Sequence, residues 1–367
     1  MSDHPVEPRD SFAAGADKLL ARAAAAEVRA YRGLSVAIDD FFLPEDARLD
    51  ERTRSGLAGL LRGLVETVEG DVREHAVRLL HGRGESRLVV ALNDPEASVL
   101  ARLWQSGLLR DPELMAELVA RVRQELLGAA LPTNAPDDPE RPSLINRFVQ
   151  HPDRVVAAGA MAVLIAESRR RGSPDAGQFT RTDLPAELHH RLVWWVAAAL
   201  RERVGEGDAL DRALSEAAQR SLAAYDEGDR LEATAMRFAA AIDAQPQELP
   251  GLLVESLADR RLVLFIALLG HALGVTYALA RDIVLDSAAD RLWLGLRALD
   301  LGREPIAQIG YALCEADPRR DLEDFADTLG TITAVGAQVA REALAPLKLH
   351  PDYRAAVVAL ERSTRPE

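Results

Sequence analysis

Glu187 and His190 form the only Glu-x-x-His of the sequence, within "PAELHHRLVWWVAAALRERV". Residues three apart share a helix face, and a carboxylate beside an imidazole is half the ligand set of a carboxylate-bridged di-iron bundle. Such a centre needs a second Glu-x-x-His and two more glutamates on other helices, and the sequence holds no second copy. His-Glu-x-x-His is absent, no two histidines stand four apart, and the single cysteine, Cys314, cannot build a zinc site. Nor does the chain contain Gly-x-Ser-x-Gly. "HGRGES", His81 to Ser86, has two glycines but neither the lysine nor the following serine or threonine of a phosphate loop, and it reads as a C-cap glycine before a Ser86 N-cap. The 58 acidic residues are scattered over helix starts and polar faces, with no acid/base couple among them. The expectation is therefore no catalytic residue, no metal and no cofactor.

The same helix offers a different chemistry. At about 100° per residue, Leu188, Leu192, Trp195, Val196 and Ala199 make one apolar stripe, which puts Trp195 in the core. Trp194 falls on the opposite side with Glu187, His190, Arg191 and Arg201. A tryptophan flanked by arginines has the composition enriched at binding hot spots, although a helix packed on both sides would cover the ring instead. Trp194, Glu187, His190, Arg191 and Arg201 are thus the candidate partner-binding residues. Trp104 and Trp293 sit in leucine-rich helices and read as core.

The elements that must position these residues are helices. The chain has 367 residues, 48% of them hydrophobic, 5% aromatic and 28% charged, and alternating β-branched runs are nearly absent. A formal net charge of −14 argues against a surface built to displace counterions from nucleic acid and points to protein partners with basic patches, or to solubility alone. The basic run Arg169 to Arg171 reads as cations at a helix C-terminus. One cysteine, placed in an apolar helix as an inert thiol, and the lack of a secretory signal in "MSDHPVEPRDSF" point to the cytoplasm. The uncharged stretch from Leu262 to Ala280 is long enough to span a bilayer. Gly270, His271, Gly274 and Thr276 break it, so it reads as two short buried helices around a turn, with no stable membrane insertion expected.

Asp94-Pro95, Asp111-Pro112 and Asp317-Pro318 each announce a helix start, an aspartate N-cap followed by proline at the first helical position. A first helix is expected over 11–32, followed by a long one from Glu51 to Leu80 broken near Gly70. Two turn-rich loops, 132–142 and 172–183, divide the chain. The expected organisation is an N-terminal helix and connection (1–45), a first helical-repeat unit (46–131), a proline-rich linker (132–142), central helices (143–171), a loop (172–183) and a second repeat unit (184–367). Sliding the chain on itself by 165 residues aligns Leu88, Leu92, Asp94 and Leu103 with Leu253, Leu257, Asp259 and Leu268. Short helices following one another with such self-similarity suggest stacked antiparallel pairs, a HEAT-like helical solenoid of the all-α class.

The stretch "ALNDPEASVLARLWQSGLLRDPELMAELV" and the later "LVLFIALLGHALGVTYALARDIVLDSAADRLWLGLRALDLG" resemble the two halves of a bacterial all-helical family, domain of unknown function 2336, across Leu57 to Leu313. The resemblance implies a helical, solenoid-like fold and a cytoplasmic interaction or regulatory role, and it brings no catalytic residues. The expected function is a non-enzymatic scaffold or adaptor that binds a protein partner. A small-ligand sensor or enzyme with a pocket between helices is the alternative. The alanine-rich N-terminal helix is left to pack on the body or on a second copy, the latter giving a homodimer.

Overall fold

A computed structural model describes residues 48–94, 98–132, 142–171, 182–350, 352–354, 356, 357 and 360. The helix expected over 11–32, most of the two expected loops and Pro95 lie outside the described residues. The chain divides into two compact units, Met1–Arg54 and Ser55–Glu367. In the first, the Asp50 carboxylate accepts hydrogen bonds from Thr53 N (2.8 Å) and Thr53 Oγ1 (2.6 Å), capping a helix that begins at Glu51.

Among the described residues the regular elements are all helical. They are α1 (Glu51–Gly82), α2 (Ser86–Leu92), α3 (Val99–Ser106), α4 (Pro112–Ala130), α5 (Leu144–Val149), α6 (Arg154–Arg171), α7 (Ala186–Val204) and α8 (Asp208–Ala224), then α9 (Leu231–Ile242), α10 (Leu249–Ala258), α11 (Leu262–Leu273), α12 (Tyr277–Leu285), α13 (Asp290–Ala298), α14 (Arg303–Ala316), α15 (Leu322–Ala334) and α16 (Ala337–Leu344).

Local chemistry explains several of the ends. Asp111 accepts from Leu114 N at 2.9 Å with Pro112 at the first helical position, as the Asp-Pro pair predicts. Asp317 behaves differently: it closes α14, and Asp321 opens α15 by accepting from Glu323 N and Asp324 N at 2.8 and 3.1 Å. The Asp317 carboxylate instead takes Arg319 N and Nε at 3.1 and 2.9 Å, which removes it as a cap for Pro318. Ser86 is already helical and does not cap α2; Glu85 precedes it without a side-chain cap. The apolar stretch after Arg261 is two helices, α11 ending at Gly274 in the left-handed region (φ 68°) and α12 capped by Thr276, bent by 115°. Among the described residues no single helix is long and apolar enough to cross a membrane.

Packing overrides local preference in α1, which runs unbroken through Gly70. An interior glycine costs about 1 kcal/mol, and Val65, Val68, Val72 and Ala76, all buried on one face, offset it. In the rest of the second unit α6 lies on α5 and α9, α9 on α11, α10 on α11 and α14, α14 on α15, and α13 on α16. α7 packs on α3 and α8, and α4 reaches α11, α12 and α14. Phe238 and Phe265 are fully buried in this core, and Phe148 meets Phe238 edge-on at 5.4 Å. Shifted by 165 residues, α2 and α3 fall within α10 and α11, and Pro112 falls on Tyr277, the first residue of α12.

None of the three tryptophans expected in the core is fully buried, Trp293 being half-buried and packed against it. Trp104 is 61% exposed, because α3 buries Val99 and Leu103 and the ring lies about 140° round the helix from Val99. Trp195 is half-buried, the α7 core stripe being supplied by Leu188, Leu192, Val193, Val196 and Leu200.

Candidate functional site

α7 carries the five residues predicted for partner binding. Glu187 and His190 are exposed, while Arg191, Trp194 and Arg201 are half-buried. Trp194 Nε1 donates to His190 Nε2 at 3.2 Å, with the rings edge-on and their centroids 6.2 Å apart. Arg191 reaches α4, where Nη1 meets Asp111 Oδ2 at 3.1 Å and Nη2 meets Glu113 Oε2 at 2.5 Å. Arg201 Nε meets Asp211 Oδ1 of α8 at 2.6 Å. The structure thus groups the five on one helix, but both guanidiniums hold α7 to its neighbours.

The run at Arg169 to Arg171 does end α6, as expected, and Arg170 also turns inward. Its guanidinium pairs with Asp183 and with Glu232 Oε1 of α9 at 2.5 Å. Arg230 lies 3.6 Å from Glu232 and 3.4 Å from Glu117 of α4, which in turn holds Arg281 of α12 at 2.7 and 3.2 Å. Alternating charges therefore tie α4, α6, α9 and α12 together in the interior. Burial alone would raise the Glu232 carboxyl; Arg170 and Arg230 reverse this and hold it down at about 2. Beside the junction, His189 Nδ1 lies 2.9 Å from Thr182 Oγ1, its ring stacks on Tyr225 at 4.0 Å, and the Tyr225 hydroxyl donates to Leu184 O. Burial lowers His189 to about 4 and raises Tyr225 to about 12, so both are neutral at pH 7. These groups are paired with one another and withdrawn from solvent, with Arg170 Nη1, Glu232 Oε2, Arg281 Nε and His189 Nε2 buried without a hydrogen-bond partner, and the ion pairs lock the helices.

A cleft of about 590 Å³ opens between α13 and α15. Its floor is Trp293 and Phe325, with ring centroids 4.9 Å apart. Gly310 of α14 sets the floor: an added Cβ there would overlap the Phe325 ring. Cys314 lines the same space, buried, with its thiol pushed up by burial. The three arginines of the walls are all engaged. Arg297 donates to Val335 O at 2.9 Å and Leu301 O at 2.5 Å, Arg319 grips Asp317 at 2.9 and 2.8 Å, and Arg320 caps the end of α12 by donating to Val284 O and Asp286 O at 2.5 and 2.9 Å. The carboxylates differ. Asp290 on α13 and Asp324 on α15 are exposed, and neither side chain has a hydrogen bond or ion pair among the described residues. Thr328 and Thr331 continue the exposed wall of α15.

Sequence reasoning assigned Trp293 to the core and passed over Asp290, Asp324 and Phe325. A signal was present in "DLEDFADTLGT": Asp321, Asp324, Thr328 and Thr331 recur at helical spacing as a face of small polar residues beside Phe325. Among the described residues no group of three or more His, Cys, Asp or Glu side chains is placed to hold a metal ion.

The described residues form an all-helical protein with an open cleft lined by Trp293 and Phe325. The chain belongs to the family of domain of unknown function 2336, described as an uncharacterised protein conserved in bacteria, whose sequence model matches residues 138–345. That span holds the junction residues from Arg170 onward and the whole cleft, whereas "ALNDPEASVLARLWQSGLLRDPELMAELV" lies ahead of it. No curated protein and no solved structure matches the chain.

Proposed function

We propose that the protein acts as a scaffold or adaptor by binding another protein, and that the cleft between α13 and α15 is the binding face. The observation that carries this reading is the cleft's chemistry: an aromatic floor and two carboxylates unpaired among the described residues, against an interior whose charged groups are ion-paired. The neighbouring pairs α7–α8, α11–α12 and α14–α15, with the 165-residue correspondence, support a HEAT-like stack of helix pairs as its scaffold. The contacts of α4 with α11, α12 and α14 would make that stack close on itself.

A second reading, a small-ligand sensor, is favoured by size, since about 590 Å³ lies within the range of small-molecule pockets. Peptide display separates the two. Random peptides selected on the full chain are rescreened on Thr331→Trp, which puts an indole into the cleft from an exposed position. Protein binding predicts peptides whose affinity falls at least about tenfold on the variant. If no selected peptide depends on Thr331, and small molecules raise the Tm of the wild type but not of the variant, the sensor reading replaces it.

A further inference from the structure

We infer that the α13–α15 cleft anchors a lysine or arginine side chain from a partner's peptide segment, an inference that rests on the protein-binding reading above. The walls hold three arginines, which at first sight would favour an anion. Each guanidinium is turned away from that task. Arg297 is bound to the carbonyls of Val335 and Leu301, and Arg319 is paired with Asp317. Arg320 is withdrawn altogether: its side chain is 3% exposed, and its Nε and Nη1, which lack hydrogen-bond partners, are buried away from solvent. None of the three offers an incoming anion a free, accessible pair of donors.

The carboxylates are disposed the other way. Asp290 and Asp324 stand on opposite helices of the cleft, exposed and unpaired among the described residues. Trp293 and Phe325 line the same cleft with their centroids 4.9 Å apart, and an indole is the best aromatic partner for a cation. A long basic side chain suits such a place, because its methylenes can lie on the rings while the charged head meets the carboxylates. The formal charge of −14 favours the approach of a basic segment to the protein as a whole. Asp321 lines the cleft too, but as the N-cap of α15 it serves the helix.

The test uses the cleft-dependent peptides of the display experiment, labelled with fluorescein and titrated by anisotropy onto the full chain. The expected result is that these peptides share a Lys or Arg, and that replacing it with norleucine weakens binding by about tenfold or more. The double variant Asp290→Asn/Asp324→Asn should show a loss of the same size, whereas Glu66→Gln, at an exposed position of α1, should not. Asp324→Lys should abolish binding of the basic peptide and accept its Glu-substituted form. Cleft-dependent peptides without a shared basic residue would overturn the inference while leaving the protein-binding reading intact; the absence of any cleft-dependent peptide would bring down that reading itself. Equal losses in Glu66→Gln and the cleft variants would reduce the effect to diffuse charge attraction. Full competition by free n-butylamine at concentrations matching the peptide would make the site one for small amines. Either of these last two results would also overturn the inference.

Discussion

The junction around Arg170 and the cleft beside Trp293 use the same kinds of residue, arginines, carboxylates and aromatic rings, to opposite ends. In the junction each carboxylate meets a guanidinium in the interior: Glu232 meets Arg170 and Arg230, and Glu117 meets Arg230 and Arg281. In the cleft the arginines answer backbone carbonyls and Asp317, and the exposed carboxylates of Asp290 and Asp324 are unpaired among the described residues. The density of titratable groups therefore does not mark a binding surface. On the reading proposed above, what marks it is which charged groups remain unpaired at a concave, accessible place.

Breaking the junction should have the largest effect on stability. Arg170→Met leaves Asp183 and Glu232 without their shared cation, and losing one partner of a buried pair costs about 3–5 kcal/mol. Urea unfolding at pH 7 measures this, and a loss below about 1 kcal/mol would place the junction with weak surface pairs.

Acid probes the same region. Glu232 is depressed from 4.5 to about 2, so its contribution is present above pH 4.5 and is lost as pH falls toward 2. His189, lowered from 6.5 to about 4, acts in a higher window: the unfolded chain binds its proton first, so stability also falls as pH drops from 6.5 to 4. Urea unfolding across this range should show two successive losses, with Glu232→Gln removing the lower one and His189→Asn the upper.

Gly310→Ala addresses the cleft. The new methyl would drive Phe325 off α14, costing about 1–3 kcal/mol as overpacking and disturbing the cleft floor. Peptide binding should weaken along with stability, whereas Arg170→Met, assayed where it remains folded, should keep its binding. Loss of binding in both variants in proportion to stability alone would erase the distinction between the two regions.

What the sequence could reveal was decided by range. The Asp111-Pro112 cap and the turn at Gly274 are local, built from neighbouring residues, and both were legible. Asp317-Pro318 shows the same local pattern, but its carboxylate is engaged by Arg319 and the helix opens at Asp321 instead. Burial of a tryptophan depends on which helix arrives against it, so Trp104 read as core yet lies in the open. Arg170 looked like one member of a basic helix end, since nothing in its surroundings announces Glu232, 62 residues on. The candidate residues on α7 were correctly grouped on one helix, but the pairing of Arg191 with Asp111 spans 80 residues and could not be read from helical periodicity.

The claim that the cleft, and not the α7 face, is where a partner docks is tested most directly by hydrogen exchange of the full chain with a selected peptide bound. Protection confined to the amides of Asp290–Ala298 and Leu322–Ala334, with Ala186–Val204 unchanged, is the predicted result. Protection centred on Ala186–Val204 with the α13 and α15 amides unchanged would contradict the account and make Trp194 the centre of the binding face.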